Sequence, residues 1–253
     1  DLPGGRLLGL DCDPIELPKT EARLRALGYG PDTFTAHRSN FAGLPQVLAA
    51  GGVKGADFIV ADLGVSSMQL DDPERGFSVK RKGPLDMRMN PSRGLGAAAF
   101  IQKIKPKALA KLMQENADEP GASGIAMALA GRLFATTTEL ADAVRASLPD
   151  MGEDGRVATV RRVFQALRIA VNEEFTALDA FLRVLPDCLN PGGRVAILTF
   201  HSGEDRRVKK AFKAGLESGV YSSIAGEVIR AGPEERRANP RSTSAKLRWA
   251  VRA

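Results

Sequence analysis

Two short apolar segments that each run into an aspartate constrain this fold more than any other feature. Arg6 to Asp11 reads RLLGLD, and Asp57 to Leu63 reads DFIVADL. The first predicts a buried strand that breaks at Asp13-Pro14, because the residue before proline is held out of the helical region. Leu17, Leu24 and Leu27 follow at helical spacing, with Gly28 as the stop. A second strand is expected at Phe34 to His37, a short helix at Leu44 to Ala50, and a third strand at Asp57 to Leu63. Strands alternating with helices at this interval predict an α/β fold with a parallel sheet and helices on its faces. In such sheets ligands lie beyond the carboxyl ends of the strands. Asp11 and Asp62 are therefore candidate ligand contacts, and solvated turn acids are the alternative.

Beyond Gly64 the periodicity is lost. Residues 64–94 are rich in Gly, Pro, Asp and Arg, and a long irregular stretch in a compact domain is usually functional. From Leu95 to Leu148 several short helices are expected, with the threonines at 136–138 capping one over Glu139 to Leu148. Gly152 to Gly155 reads as a loop. Phe164, Leu167, Val171, Phe175, Leu178, Leu182 and Leu185 then form one apolar stripe that predicts a single long helix. Asn190-Pro-Gly-Gly193 turns the chain into a buried strand at Arg194 to Phe200. Ser202 to Ala214 predicts a helix with a basic face carrying Arg206, Arg207, Lys209, Lys210 and Lys213. Ala245 to Val251 reads as an edge strand. The expected organisation is a sheet domain in two parts, 1–92 and 161–253, around a helical insert at 93–160 that recognises the substrate.

Composition removes several classes of function. Two cysteines and two histidines, widely separated, leave no structural zinc site and no multi-histidine centre, so no metal is expected. The cysteine usage suits a reducing compartment. No apolar run spans a bilayer, and Asp1-Leu-Pro-Gly-Gly5 has no secretory or transit signature. Lys plus Arg exceed Asp plus Glu by 36 to 30, a balance that suits a polyanionic partner through counterion release. His201-Ser202 follows a strand, but no Gly-x-Ser-x-Gly elbow exists, so a Ser/His hydrolase is not expected.

Several segments together carry a specific signature. They are Gly9-Leu-Asp-Cys-Asp-Pro14, the run from Asp62 to Phe77 (DLGVSSMQLDDPERGF), and Gly83 to Met89 (GPLDMRM). Further along come Phe164 to Asn172 (FQALRIAVN), Pro191 to Arg194 (PGGR), Phe200-His-Ser202 with Glu204-Asp-Arg206, and Asn239-Pro-Arg241 with Ser244 to Arg248 (SAKLR). In order and extent the chain closely resembles the MraW-like family of small-subunit rRNA cytosine-N4 methyltransferases, known as methyltransferase H.

The resemblance implies a Rossmann-like class I methyltransferase sheet with an inserted helical domain, and S-adenosylmethionine as methyl donor. It assigns donor contacts to Asp11, Phe41, Asp62 and Gln69, with Asp11 at the ribose and Phe41 packing on the adenine side. It implies a cytidine in the decoding region of 16S-type rRNA as substrate, and small-subunit rRNA or the ribosomal subunit as partner. A homodimer is allowed, and no membrane is involved. The location is cytoplasmic in a bacterium, or chloroplast or mitochondrion in an organelle. Methyl transfer is an in-line displacement, and the delocalised cytosine amine needs acceptors to localise its lone pair. Asp62, Ser66 and Ser67 are the candidate acceptors, and Arg206, Lys209 and Lys210 the candidate phosphate contacts.

The chain departs from the family pattern in places. The glycine-rich strand-to-helix turn normally precedes Asp11 by roughly twenty residues, further upstream than this chain reaches. Two readings of that stay open: a piece of a longer protein, or impaired donor binding in an RNA-binding or ribosome-assembly factor. Met68 replaces a usual proline, Gly203 a usual leucine, and Gly121 to Ala128 lacks arginines common in relatives. A methyltransferase acting on protein or DNA is the rival enzyme reading, and the long motifs speak against it.

Overall fold

The structure, a computed structural model, describes residues 4–253. The opening Asp1-Leu-Pro of the segment read for a targeting signal lies outside the described residues. The chain divides into two compact units, one formed by Asp1–Gly64 with Phe175–Ala253, the other by Val65–Glu174.

The first unit begins with strand β1 (Leu7–Asp11), helix α1 (Glu16–Ala26) and strand β2 (Phe34–Arg38). β1 and β2 pair in parallel as a two-stranded sheet, with Asp11 opposite Arg38. β1 was expected to be buried, but Leu7 is 57% exposed and Leu8 and Leu10 are only half-buried, so little packs over the faces of this two-stranded sheet. Helix α2 (Leu44–Ala50) and strand β3 (Ala56–Asp62) follow.

The second unit opens with a one-turn helix, α3 (Ser67–Asp71), and an irregular stretch. Helices α4 (Ala97–Lys103), α5 (Pro106–Ala117), α6 (Ala122–Leu129), α7 (Thr137–Ala146) and α8 (Glu153–Val171) complete it. Thr136 caps α7 by accepting the Glu139 N–H. α6 turns inward: Ala122, Ile125, Ala126 and Leu129 are all buried, which is why small apolar residues stand there. The core of this unit draws on Phe77, Leu85, Met87, Ile101, Met113, Leu140, Val163 and Leu167. Its limits are wider than the 93–160 segment read as the insert, because Phe77 to Met87 and Val163 to Leu167 pack into the same core.

The irregular stretch of this unit is held by named bonds. Gly76, at φ 71°, passes so close to its neighbours that a Cβ would meet the Pro84 carbonyl oxygen. Asn172 accepts the Met89 N–H at 2.7 Å and donates to the Met87 carbonyl at 2.7 Å, clasping the Gly83 to Met89 motif onto the end of α8.

The chain re-enters the first unit through α9 (Glu174–Val184). One long helix was expected over residues 164–185. The structure instead ends α8 at Val171 and restarts after Glu173, whose φ of 51° is left-handed and breaks the helical ladder. Strand β4 (Leu189–Thr199), helix α10 (Ser202–Glu217), strands β5 (Tyr221–Ile224) and β6 (Ile229–Arg230), helix α11 (Pro233–Ala238) and strand β7 (Lys246–Arg252) complete the chain. β4 starts earlier than expected, because the Asn190-Pro-Gly-Gly193 turn is absorbed as an irregularity in its pairing with β3.

The larger sheet has the order β3-β4-β7-β5, with β6 also on β7. β3 and β4 are parallel, whereas β7 is antiparallel to β4, β5 and β6. The sheet is therefore mixed rather than wholly parallel. β7 was expected at an edge but lies between β4 and β5. Its loose alternation read as an edge, but its polar side chains are accommodated in the interior position: Arg248 Nε lies 2.7 Å and Lys246 Nζ 3.6 Å from the Asp205 carboxylate. Ile59, Phe181, Leu185, Val195, Ile197, Val208, Phe212 and Ala250 form the core. Among the described residues no helix is long and apolar enough to cross a membrane.

The clasp gives a stability prediction. Asn172→Ala leaves the Met89 N–H and Met87 carbonyl without that partner, and should cost about 1–3 kcal/mol in urea denaturation with helical content preserved. An unchanged midpoint would show that the clasp contributes nothing.

Candidate functional site

β1 and β2 end side by side, and the chain leaving them is tightly specified. The Ser39 N–H donates to the Asp11 carbonyl at 3.0 Å, and Asp11 Oδ1 accepts the Asp13 N–H at 2.8 Å. Asp13 is fully buried and accepts the Ile15 N–H at 2.8 Å, so its carboxylate shapes the start of α1. Burial raises the Asp11 pKa above the usual aspartate value; the Asp13 N–H bond opposes this and the Asp13 charge adds to it. Two positions past β2, the Asn40 side chain accepts the Ala42 N–H at 3.0 Å and caps a single turn over Phe41–Gly43. That turn holds the half-buried Phe41 ring edge-on to Phe181, with centroids 5.5 Å apart. Asp11 and Phe41 thus follow the ends of two adjacent parallel strands.

Asp62 closes β3 opposite Leu198 of β4, and the next N–H, from Leu63, donates to the Leu198 carbonyl at 3.0 Å. The parallel register brings the end of β3 beside the start of α10. There His201 caps the helix, its Nδ1 accepting the Glu204 N–H at 3.4 Å. The buried Glu204 carboxylate accepts the Phe200 N–H at 2.9 Å and lies 3.2 Å from His201 Nε2. Burial and then the Glu204 charge raise the Asp62 pKa above the aspartate norm, so Asp62 holds a proton more readily than a free side chain. The Phe175 ring stands 5.7 Å from His201, and the Arg207 guanidinium lies 3.6 Å from the Phe175 ring centre. Gly203 is explained by the same packing: a Cβ there would sit 2.5 Å from Phe175 Cζ.

The second unit holds Ser66, Ser67 and Gln69. Ser66 Oγ accepts the Gln69 N–H at 3.2 Å, and Gln69 Oε1 accepts the Ser66 N–H at 2.9 Å. This reciprocal capping box fixes the first turn of α3 and occupies the Gln69 amide oxygen locally. Ser67 is exposed on the same turn. Arg206, Lys209 and Lys210 are exposed at helical spacing on α10, forming one cationic face with Lys213.

Sequence reasoning did not give Glu204 or Asp205 a role. Both lie inside a motif matched above, and their spacing carries no signal until α10 is folded. Burial pushes the Asp205 carboxyl up, but the bond to Arg248 and the charges of Arg248 and Lys246 outweigh it, so its pKa falls below the usual value.

The coupling of Asp62 to Glu204 is testable. In Glu204→Gln the amide oxygen can still accept the Phe200 N–H, while the negative charge near Asp62 is lost. The Asp62 carboxyl should then titrate at lower pH by carbon-13 NMR; an unchanged or higher titration point would refute the coupling.

The sequence profile of the MraW methylase family matches residues 1–253. "Ribosomal RNA small subunit methyltransferase H 1" of Lachnoclostridium phytofermentans is 46% identical, over 98% of this chain and 70% of that relative. "Ribosomal RNA small subunit methyltransferase H 2" of Alkaliphilus metalliredigens is also 46% identical, over 98% of this chain and 73% of its own. The "Ribosomal RNA small subunit methyltransferase H" of Acidobacterium capsulatum is 40% identical, over 98% and 84% respectively. With full-length coverage by the family profile and relatives at this identity, the chain belongs to the MraW methylase family, enzymes built on the class I methyltransferase fold.

Proposed function

We propose that this enzyme uses S-adenosylmethionine to methylate N4 of a cytidine in the decoding region of small-subunit rRNA. The observation that carries the reading is Asp62, a carboxylate of raised pKa at the carboxyl end of a parallel strand, in a family of methylases. Relatives named for small-subunit ribosomal RNA support the substrate class. The cytosine-N4 and decoding-region assignments rest on the motif resemblance.

The residues fit a nucleoside-bearing donor. Asp11 ends β1, where hydroxyls of a ribose can donate to its carboxylate. Phe41 offers a ring braced by Phe181 for a purine. When bound, S-adenosylmethionine supplies a methyl group on a sulfonium. With the donor held there, the chain's own residues would orient the cytosine amine toward that methyl group and take up the proton the amine must lose. Asp62 accepts a hydrogen bond from the amine, localises the lone pair and receives the proton; its raised pKa suits that transfer. Ser66 and Ser67 are the alternative acceptors. The base must leave its stack, or lie in a single-stranded segment, to be reached. The partner is rRNA or the small subunit, and a bacterial protein of this kind would work in the cytoplasm.

Asp62→Ala should lower the rate of methyl transfer to rRNA, measured with the donor at saturating concentration, by on the order of 10²–10⁴. Near-normal methylation with donor bound would remove Asp62 from the chemistry. Neutralising Arg206, Lys209 and Lys210 together should reduce the dependence of log affinity on log salt by about 2–3. An unchanged slope would mean that this face of α10 is merely solvated.

A further inference from the structure

We infer that His201 is a positioning residue for methyl transfer. By capping α10 through Nδ1 it keeps its proton on Nε2, where that N–H orients the Glu204 carboxylate that acts on Asp62. This rests on Asp62 as the proton acceptor proposed above, and assigns a role to a side chain that reading does not use.

The cap decides the tautomer. His201 Nδ1 accepts the Glu204 N–H at 3.4 Å, and an imidazole nitrogen that accepts carries no hydrogen. The neutral ring therefore bears its proton on Nε2. A hydrogen on Nδ1 would confront the Glu204 N–H and break the cap. The backbone supports this arrangement. His201 is extended, at φ −143°, and its carbonyl accepts the Asp205 N–H at 3.2 Å, so α10 begins at the next residue.

The other nitrogen is held in the interior. The His201 side chain is 10% exposed, and Nε2 is the one buried side-chain nitrogen or oxygen without a hydrogen-bond partner among the described residues. Buried polar groups are rarely left so. Glu204 Oε1 stands 3.2 Å from it, on a carboxylate whose Oε2 accepts the Phe200 N–H at 2.9 Å. The approach is close but too bent for a full hydrogen bond. A straight bond from a cation would quench the Glu204 charge. A bent, neutral N–H orients the carboxylate and leaves its charge to act on Asp62.

The ring is wedged in place. Phe175 stands 5.7 Å from it between centroids, and the Arg207 guanidinium lies 3.6 Å from the Phe175 centre while pairing with Asp179 at 3.3 Å. Gly203 gives the imidazole room, because a Cβ there would lie 3.2 Å from His201 Nδ1. Capping alone does not account for this residue. Asn, Asp, Ser and Thr cap helices better and bury no second polar nitrogen. What the imidazole adds is Nε2.

The test separates the two nitrogens in the whole protein. Nitrogen-15 NMR should show the neutral Nε2–H tautomer of His201; a proton on Nδ1 instead would overturn the inference. His201→Asn keeps an acceptor where Nδ1 sits and has nothing at Nε2. It should melt like the parent. With Glu204 released to take the proton itself, Asp62 should titrate at lower pH by carbon-13 NMR. In rRNA methylation kcat should fall about three- to tenfold, with KM for donor and RNA unchanged. His201→Gln does the reverse, placing an N–H near Nε2 and losing the cap. It should melt lower, yet keep most of kcat and the Asp62 titration point. If the asparagine variant matches the parent in kcat and Asp62 titration while the glutamine variant loses both, His201 is a cap only and the inference is refuted. If His201→Asn moves the Asp62 titration but Asp62→Ala still methylates at the parental rate, the reading of Asp62 falls, and the role of His201 in methyl transfer falls with it.

Discussion

The parallel pairing of β3 with β4 is the constraint on which the candidate site depends. It sets Asp62 opposite Leu198, so the carboxylate that ends one strand faces the turn where the next enters α10. The same register sets Glu204, anchored on the Phe200 N–H, near enough to act on the Asp62 charge. A slip of one residue would turn every side chain of β3 to the opposite face and take Asp62 out of this setting. Ile59 opposes that slip, since it would leave the core it shares with Val195 and Ile197 of β4.

Local pattern made much of this legible. The strand ends at Asp11 and Asp62 follow from short apolar runs closed by acids, and α1, α2 and α10 follow from helical spacing. What stayed hidden depends on contacts distant in sequence. The stripe from Phe164 to Leu185 keeps one helical period through Glu173, because residues on both sides are apolar for separate reasons. Val163 and Leu167 fill one core, Leu178 and Phe181 another. Periodicity reports burial, not what a residue is buried against, so the break was invisible.

The site residues divide the same way. Asp11, Phe41 and Asp62 could be singled out from strand ends and motif resemblance. For Ser66 and Gln69 the structure adds a local role, since they cap each other's backbone. Glu204 could not be found from pattern, because its effect on Asp62 exists only once α10 starts beside β3. The departure at Gly203 likewise has a cause outside its own motif, the ring of Phe175.

The burial of Arg248 within an interior strand carries a consequence for how such a chain can change. Arg248 is 8% exposed and depends on Asp205, forty-three positions earlier. Losing Asp205 leaves Arg248 buried without its carboxylate, a defect worth about 3–5 kcal/mol, whereas losing Arg248 leaves Asp205 beside Lys246. The two positions are therefore unequal under drift: Arg248 can be exchanged first, and Asp205 only after it.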